Sequence, residues 1–215
     1  MITADQAATF ERCMAVGGVA IFGADTVYGL ACEPDNEDAV ARLYGLKARR
    51  PDKPSAVLFF SLELALAALP ELGTRTVAAL EALMPGAVTA LLPNPAARFP
   101  LACAPGGGDP YTLGLRVPAL VPTTTALSAV RWPVLQSSAN PSGGADARRL
   151  DEVPADIRAG VDLVLDAGDL DGRPSTVIDL RGYEDEGVWR IVRDGAVSHA
   201  CVDAALSGLR RRDAG

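Results

Sequence analysis

Short apolar segments of strand character alternate with segments of helical period along almost the whole of this 215-residue chain. Such interleaving predicts an α/β (α+β) fold: a single domain over residues 1–215, with one large twisted mixed sheet flanked by helices, because every apolar strand face needs covering. Thr3 and Gln6 read as a capping box opening a first helix, which Gly17 and Gly18 stop. Asn36 caps a second helix with Ala39, Val40, Leu43 and Tyr44 on one face. Further helices are predicted at Glu63 to Leu69, Thr74 to Met84 and Thr123 to Val130. Strands are predicted at Val19 to Phe22, Ala56 to Phe60, Ala87 to Leu92, Thr112 to Val117 and Val134 to Ser137, and then at Asp162 to Asp166, Thr176 to Leu180 and Val188 to Val192. Pro93 to Pro110 has no clear period and reads as irregular, ending in a mobile glycine loop. Residues 199–215, closing with LRRRDAG, read as a frayed tail.

A composition of 49% hydrophobic and 22% charged residues is that of a globular chain with one sizeable core. Runs such as AVLFF (Ala56 to Phe60) are broken well short of the roughly 20 residues a membrane span needs. The N-terminus lacks the basic-then-apolar order of a secretory signal, so a soluble, cytoplasmic protein with no membrane partner is expected. Cys13, Cys32, Cys103 and Cys201 are scattered without a paired spacing, and His199 is the only histidine. That pattern disfavours a disulfide framework, a zinc site and histidine general-base chemistry. A formal charge of −7 speaks against a broad nucleic-acid footprint, though not against a local basic groove.

Both lysines of the chain, Lys47 and Lys53, fall in KARRPDKPS together with Arg49 and Arg50. Alone, the run fits either a solvated loop or a ligand loop. Four other segments bring glycines, hydroxyls or cations to strand ends, where α/β sheets place ligands: GADTVYGLA, TLGLRVP, SSANPSGG and PSTVIDL. Gathered at one cleft they would suit a polyphosphate, since arginine forks onto phosphate oxygens and lysine adds a compact charge. Neither GxxxxGK[ST] nor a strand-borne GxGxxG is present, so nucleotide binding here needs a different architecture.

In their order, GADTVYGL, KARRPDKP, PGAVT, LGLRVP, SSANPSGGADA, PSTVIDL and VRDGAVS resemble the segments of the YrdC-domain family. Its members include the L-threonylcarbamoyladenylate synthases. The match spans about residues 17–198. Longer members carry an additional C-terminal domain, which this chain is expected to lack.

The resemblance implies roles at matched positions. Lys47 and Arg49 would be catalytic, and Thr26, Leu58, Arg116, Gln136 and Ser175 would bind L-threonine. Arg49, Lys53, Thr112, Ser138, Asn140 and Arg193 would bind ATP. Tyr28 reads as packing and Ser142 as either a ligand or a turn residue. The implied reaction condenses L-threonine, bicarbonate and ATP to L-threonylcarbamoyladenylate and pyrophosphate, for the tRNA modification N6-threonylcarbamoyladenosine. Mg²⁺ would arrive with ATP, the metal ligands are unassigned, and a downstream threonylcarbamoyl transferase would take the product. Two alternatives stay open: a related carbamoyl- or adenylate-handling enzyme with another amine or acceptor, and a non-catalytic binder of tRNA or double-stranded RNA.

Four departures from the pattern stand out. Gly23-Ala24 stands for Pro-Thr, Arg50 for proline, Asp146 for serine and Pro174 for glutamate. Asp146 beside phosphates would be repulsive unless Arg148, Arg149 or a metal offset it.

Overall fold

The computed structural model describes residues 1–212. Among these residues nine strands form one mixed sheet: β1 (Ala20–Gly23), β2 (Tyr28–Cys32), β3 (Ala56–Leu58), β4 (Val88–Pro93), β5 (Thr112–Arg116), β6 (Val134–Ser138), β7 (Leu163–Val164), β8 (Thr176–Asp179) and β9 (Arg190–Arg193). Their order across the sheet is β7-β1-β2-β6-β3-β5-β4-β8-β9. The mixed character is real: β3 with β5, β4 with β8 and β1 with β7 are parallel, and the other neighbours are antiparallel.

The helices are α1 (Ala4–Ala15), α2 (Glu37–Leu46), α3 (Leu62–Ala68), α4 (Thr74–Leu83), α5 (Pro100–Cys103), α6 (Ala155–Ala159), α7 (Tyr183–Glu186) and α8 (His199–Arg212). Local chemistry explains the first two. The Thr3 side chain accepts from the Gln6 amide while the Gln6 side chain accepts from the Thr3 amide, so two otherwise orphaned donors are satisfied and α1 starts there. Phe10 and Met14 of α1 are buried, and Phe10 packs against Phe22 of β1 and against Phe60. Asn36 accepts from the Ala39 amide, and α2 buries the four apolar residues of its predicted face.

Four segments depart from expectation. β2 was not anticipated as a strand; all five of its residues are buried, between β1 and β6, so it has no polar alternation to betray it. Within Pro93 to Pro110 the short helix α5 forms and buries Ala102 and Cys103. Thr125–Ala129 is a 3₁₀ turn rather than an α-helix. Residues expected as a tail form α8, which buries Val202 and Leu206 and packs on α4. Val202 and Leu206 are four apart, the helical repeat that the basic ending obscures. Residues 213–215 of that expected tail lie outside the described residues.

Candidate active site

Small residues at matched positions of neighbouring strands leave room for a ligand. Ala56 of β3 pairs with Gly114 of β5 on one side and with Gln136 of β6 on the other, and Gly114 in turn pairs with Leu91 of β4. These four line a cleft of about 480 Å³, a volume suited to a small-molecule site of roughly 300–1,000 Å³. A Cβ on Gly29 of β2 would come within 2.5 Å of the Gln136 side-chain nitrogen, so the missing side chain is what lets Gln136 lie where it does.

The cleft wall brings together Arg49, Thr112, Arg116, Gln136, Ser138, Ser175 and Arg193 of the expected site, and adds Thr89, Asp52, Asp109 and Cys103. Three arginines and three aspartates, Asp146 being the third, therefore line one space. Arg49 is held by the loop that follows it: one Nη donates to the Pro54 oxygen at 2.6 Å, and the guanidinium lies 5.6 Å above the Tyr44 ring. Tyr44 fixes the same loop by donating to the Lys53 oxygen at 2.6 Å. Across the cleft, Arg193 donates to the Ser175 oxygen at 2.7 Å, and the Ser175 hydroxyl pairs with that of Thr89 at 2.8 Å. Thr112 accepts from Arg181 at 3.3 Å.

Arg116 is the buried member. Its side chain, 5% exposed, donates from one Nη to Asp25 and, at 2.8 Å, to the Thr26 hydroxyl. Both acceptors lie in the loop from Ala24 to Val27 that joins β1 to β2. Burial pushes the Asp25 carboxyl above its usual range, and the Arg116 charge opposes that rise.

Five expected site residues are placed elsewhere. Lys47 is 1% exposed and does not reach the cleft. Its ammonium donates to the oxygens of Ser138 and Asn140 and to Asn140 Oδ1, the last two at 2.6 and 3.0 Å, so it pins the loop beyond β6. Burial, aided by the Arg49 charge and opposed by Asp146, pushes Lys47 down to about 8. Asn140 is buried and organises that loop: it accepts from the Ser138 hydroxyl at 2.6 Å and donates to the Gly144 oxygen at 2.6 Å. Thr26 is buried and engaged with Arg116, Leu58 is in the core, and the exposed Lys53 is not part of the cleft wall. For the buried four, the side chain follows the nearest strong partner or the core rather than the open space.

The departures from the pattern fall in two places. Asp146 and Pro174 line the cleft. The compensation expected for Asp146 does not come from Arg148 or Arg149, which pair with Asp169 and with Asp151. Asn140 donates to Asp146 at 3.2 Å, and Lys47 supplies the nearby charge. Arg50 is exposed and paired with Asp52, and Ala24 is buried. Tyr28 is a buried structural residue, donating to Asp166 at 2.8 Å. His199 stacks on Trp189, ring centres 4.8 Å apart, and is not part of the cleft. Among the described residues the four cysteines are unpaired, no three His, Cys, Asp or Glu side chains are grouped to hold a metal, and no helix is long and apolar enough to cross a membrane.

Asp25 and Thr89 were missed by sequence reasoning. Both sit inside quoted segments, GADTVYGL and PGAVT, where a carboxylate two residues after a strand and a lone hydroxyl in an apolar strand were available as signals.

Comparison with known proteins finds relatives over most of the chain. The model of the Sua5/YciO/YrdC family, described as "Telomere recombination", matches residues 12–195. A threonylcarbamoyl-AMP synthase of Halorhodospira halophila is 37% identical over 171 residues, covering 77% of this chain and 85% of that protein. One from Pseudomonas aeruginosa is 34% identical, covering 84% and 95%. A structure of P. abyssi Sua5 complexed with L-threonine superposes with TM-score 0.80 at 25% identity, over 95% of this chain. The chain spans 58% of that protein's length. E. coli YciO, at TM-score 0.75 and 22% identity over 93% of this chain and 94% of its own, attests the fold alone.

Proposed function

Because the chain belongs to the Sua5/YciO/YrdC family, we propose that it condenses L-threonine, bicarbonate and ATP to L-threonylcarbamoyl-AMP and pyrophosphate, supplying tRNA N6-threonylcarbamoyladenosine synthesis. The observation that carries the reading is the convergence of Arg49, Arg116 and Arg193 with the hydroxyls of Thr112, Ser138 and Ser175 on one cleft. Relatives at 32 to 37% identity bearing the synthase name support the same conclusion.

In this reading Arg116, buried and ordered, receives the threonine carboxylate, with Gln136 and Ser175 beside it. Arg49, Ser138 and Thr112 lie on the nucleotide side, and Arg193 neutralises phosphate. The threonine amine attacks bicarbonate with loss of water, or carbon dioxide with loss of a proton to solvent, and the resulting carbamate oxygen bonds to the α-phosphorus as its bond to pyrophosphate breaks. Such a step needs alignment and neutralisation of charge on phosphate oxygens more than a covalent protein partner, and pre-oriented guanidiniums supply both. Lys47 acts from behind, by fixing the Ser138 to Ser142 loop. Mg²⁺ would be carried by the triphosphate oxygens and supply further charge neutralisation, with no protein ligand assigned. Bicarbonate, a downstream transferase, tRNA and a cytoplasmic setting belong to the same proposal.

One observation favours a second reading. Asp146 and Pro174, which depart from the family pattern, both line the cleft, so the amine or carbamoyl acceptor could differ. Pyrophosphate release with Mg-ATP, omitting threonine and bicarbonate in turn, separates the two: dependence on both supports the synthase, and release with bicarbonate and another amine supports the alternative. No turnover together with salt-sensitive RNA binding would return the chain to the binding-protein class.

A further inference from the structure

Asp25 stands behind Arg116 as seen from the cleft: Arg116 is part of the wall and Asp25 is not. Their side chains are 6% and 5% exposed. Among the described residues Asp25 Oδ2 and Arg116 Nε have no well-formed hydrogen bond, although the Ala119 and Thr26 amides lie close enough to favour the Asp25 charge. Burying two charges costs desolvation that a pair of apolar residues would avoid, so stability alone does not explain the pair. What the pair provides is orientation. One Nη is fixed by two acceptors from the same loop, Asp25 and Thr26, while among the described residues the guanidinium makes no other hydrogen bond. Arg193, from the far edge of the sheet, bears on Arg116 with a like charge that Asp25 offsets.

We propose that Asp25 is a positioning residue for the amino-acid carboxylate, holding one Nη of the Arg116 guanidinium so that the other Nη is aimed at the substrate. The inference rests on the synthase reading and adds to it the residue that sets the anchor's geometry. Two effects compete when Asp25 loses its charge. A freed guanidinium pulls harder on any anion, but it loses the fixed orientation that aims its remaining N–H bonds at the carboxylate. The proposal holds that geometry dominates.

The test compares wild type with Asp25→Asn, measuring calorimetric binding of L-threonine and of L-threonine amide, and KM for threonine and for ATP in pyrophosphate release. Wild-type turnover dependent on threonine and bicarbonate establishes the reading on which the inference stands; its absence overturns that reading, not the Asp25 comparison of affinities. For Asp25→Asn the expected result is a threonine affinity lowered at least tenfold, an ATP KM within about twofold of wild type, and a reduced preference for threonine over its amide. Unchanged or tighter threonine binding, or an equal loss for both ligands, would overturn the proposal. Asp25→Glu, which keeps the charge and displaces it by one methylene, provides the second variant if the asparagine protein does not fold. It is expected to weaken threonine binding while leaving ATP unaffected, and full threonine affinity in it counts against the proposal.

Discussion

Lys47 Nζ lies 2.6 Å from the backbone oxygen of Asn140, a residue 93 positions further along the chain. A residue that reads as a cleft cation is thus a buried clasp. Lys47→Ala removes the donor shared by three acceptors, and stranded buried acceptors cost about 1–3 kcal/mol. The variant is expected to unfold at lower temperature and to lose pyrophosphate release, as measured by thermal unfolding and turnover together. A protein of unchanged thermal stability would show that the clasp is dispensable.

Arg49 is expected to behave differently. It is half-buried, and its side chain hydrogen-bonds within its own loop, so Arg49→Ala should leave the unfolding temperature nearly unchanged. ATP affinity should fall by tenfold or more while threonine affinity in the binary complex stays within about twofold, since a lost phosphate contact weakens only the ligand that makes it. Titration calorimetry with each ligand reads both.

Gly195 lies so close to the cleft wall that an added Cβ would be 2.4 Å from both the Pro174 oxygen and the Thr176 amide. Backbone on both sides cannot yield as a flexible side chain would. Gly195→Ala is therefore expected to displace the Pro174-Ser175 segment and, with it, the Ser175 contacts of Arg193. Lower thermal stability and at least a tenfold loss of kcat/KM are the expected readouts.

Asp179 provides the acid-sensitive element. Hydrogen bonds from Arg181 in the first place, and then from Arg190, hold its carboxyl well below the ordinary value of 3.8. A carboxylate depressed in the folded state contributes stability above its unfolded pKa and loses it as pH falls through the folded one. Asp179→Asn should therefore unfold at a lower temperature than wild type at pH 7, with the gap narrowing progressively below about pH 4. A gap constant with pH would mean that the clamp of Arg181 and Arg190 on Asp179 contributes nothing.

Local chemistry was the legible part of the fold. The caps at Thr3 and Asn36 and the buried face of α2 are decided within a few residues, and they stand where the sequence places them. β2 escaped because burial on both faces removes alternation, and α8 because a basic ending hid Val202 and Leu206. In the cleft, the strand-end segments converge as expected, but which cation faces the ligand does not follow from spacing. Lys47 turns inward because carbonyl oxygens from the loop after β6 await it, and Arg116 is held by a carboxylate 91 residues earlier. Such choices are made by partners distant in sequence, and no local pattern records them.

The order of strands across the sheet bears on how the protein comes to be active at all. β1 and β2 are hydrogen-bonded neighbours made early in synthesis, yet β6 must arrive before β2 meets β3's side of the sheet, and β8 must arrive before Thr89 meets Ser175, 86 residues later. Closing such long loops carries an entropic toll before any pairing rewards it, so a topology of this kind folds slowly. The cleft, drawn from Arg49 to Arg193, is then complete only when nearly every strand is in place. A nascent or half-folded chain would hold no complete cleft, because its walls come from strands made at both ends of synthesis.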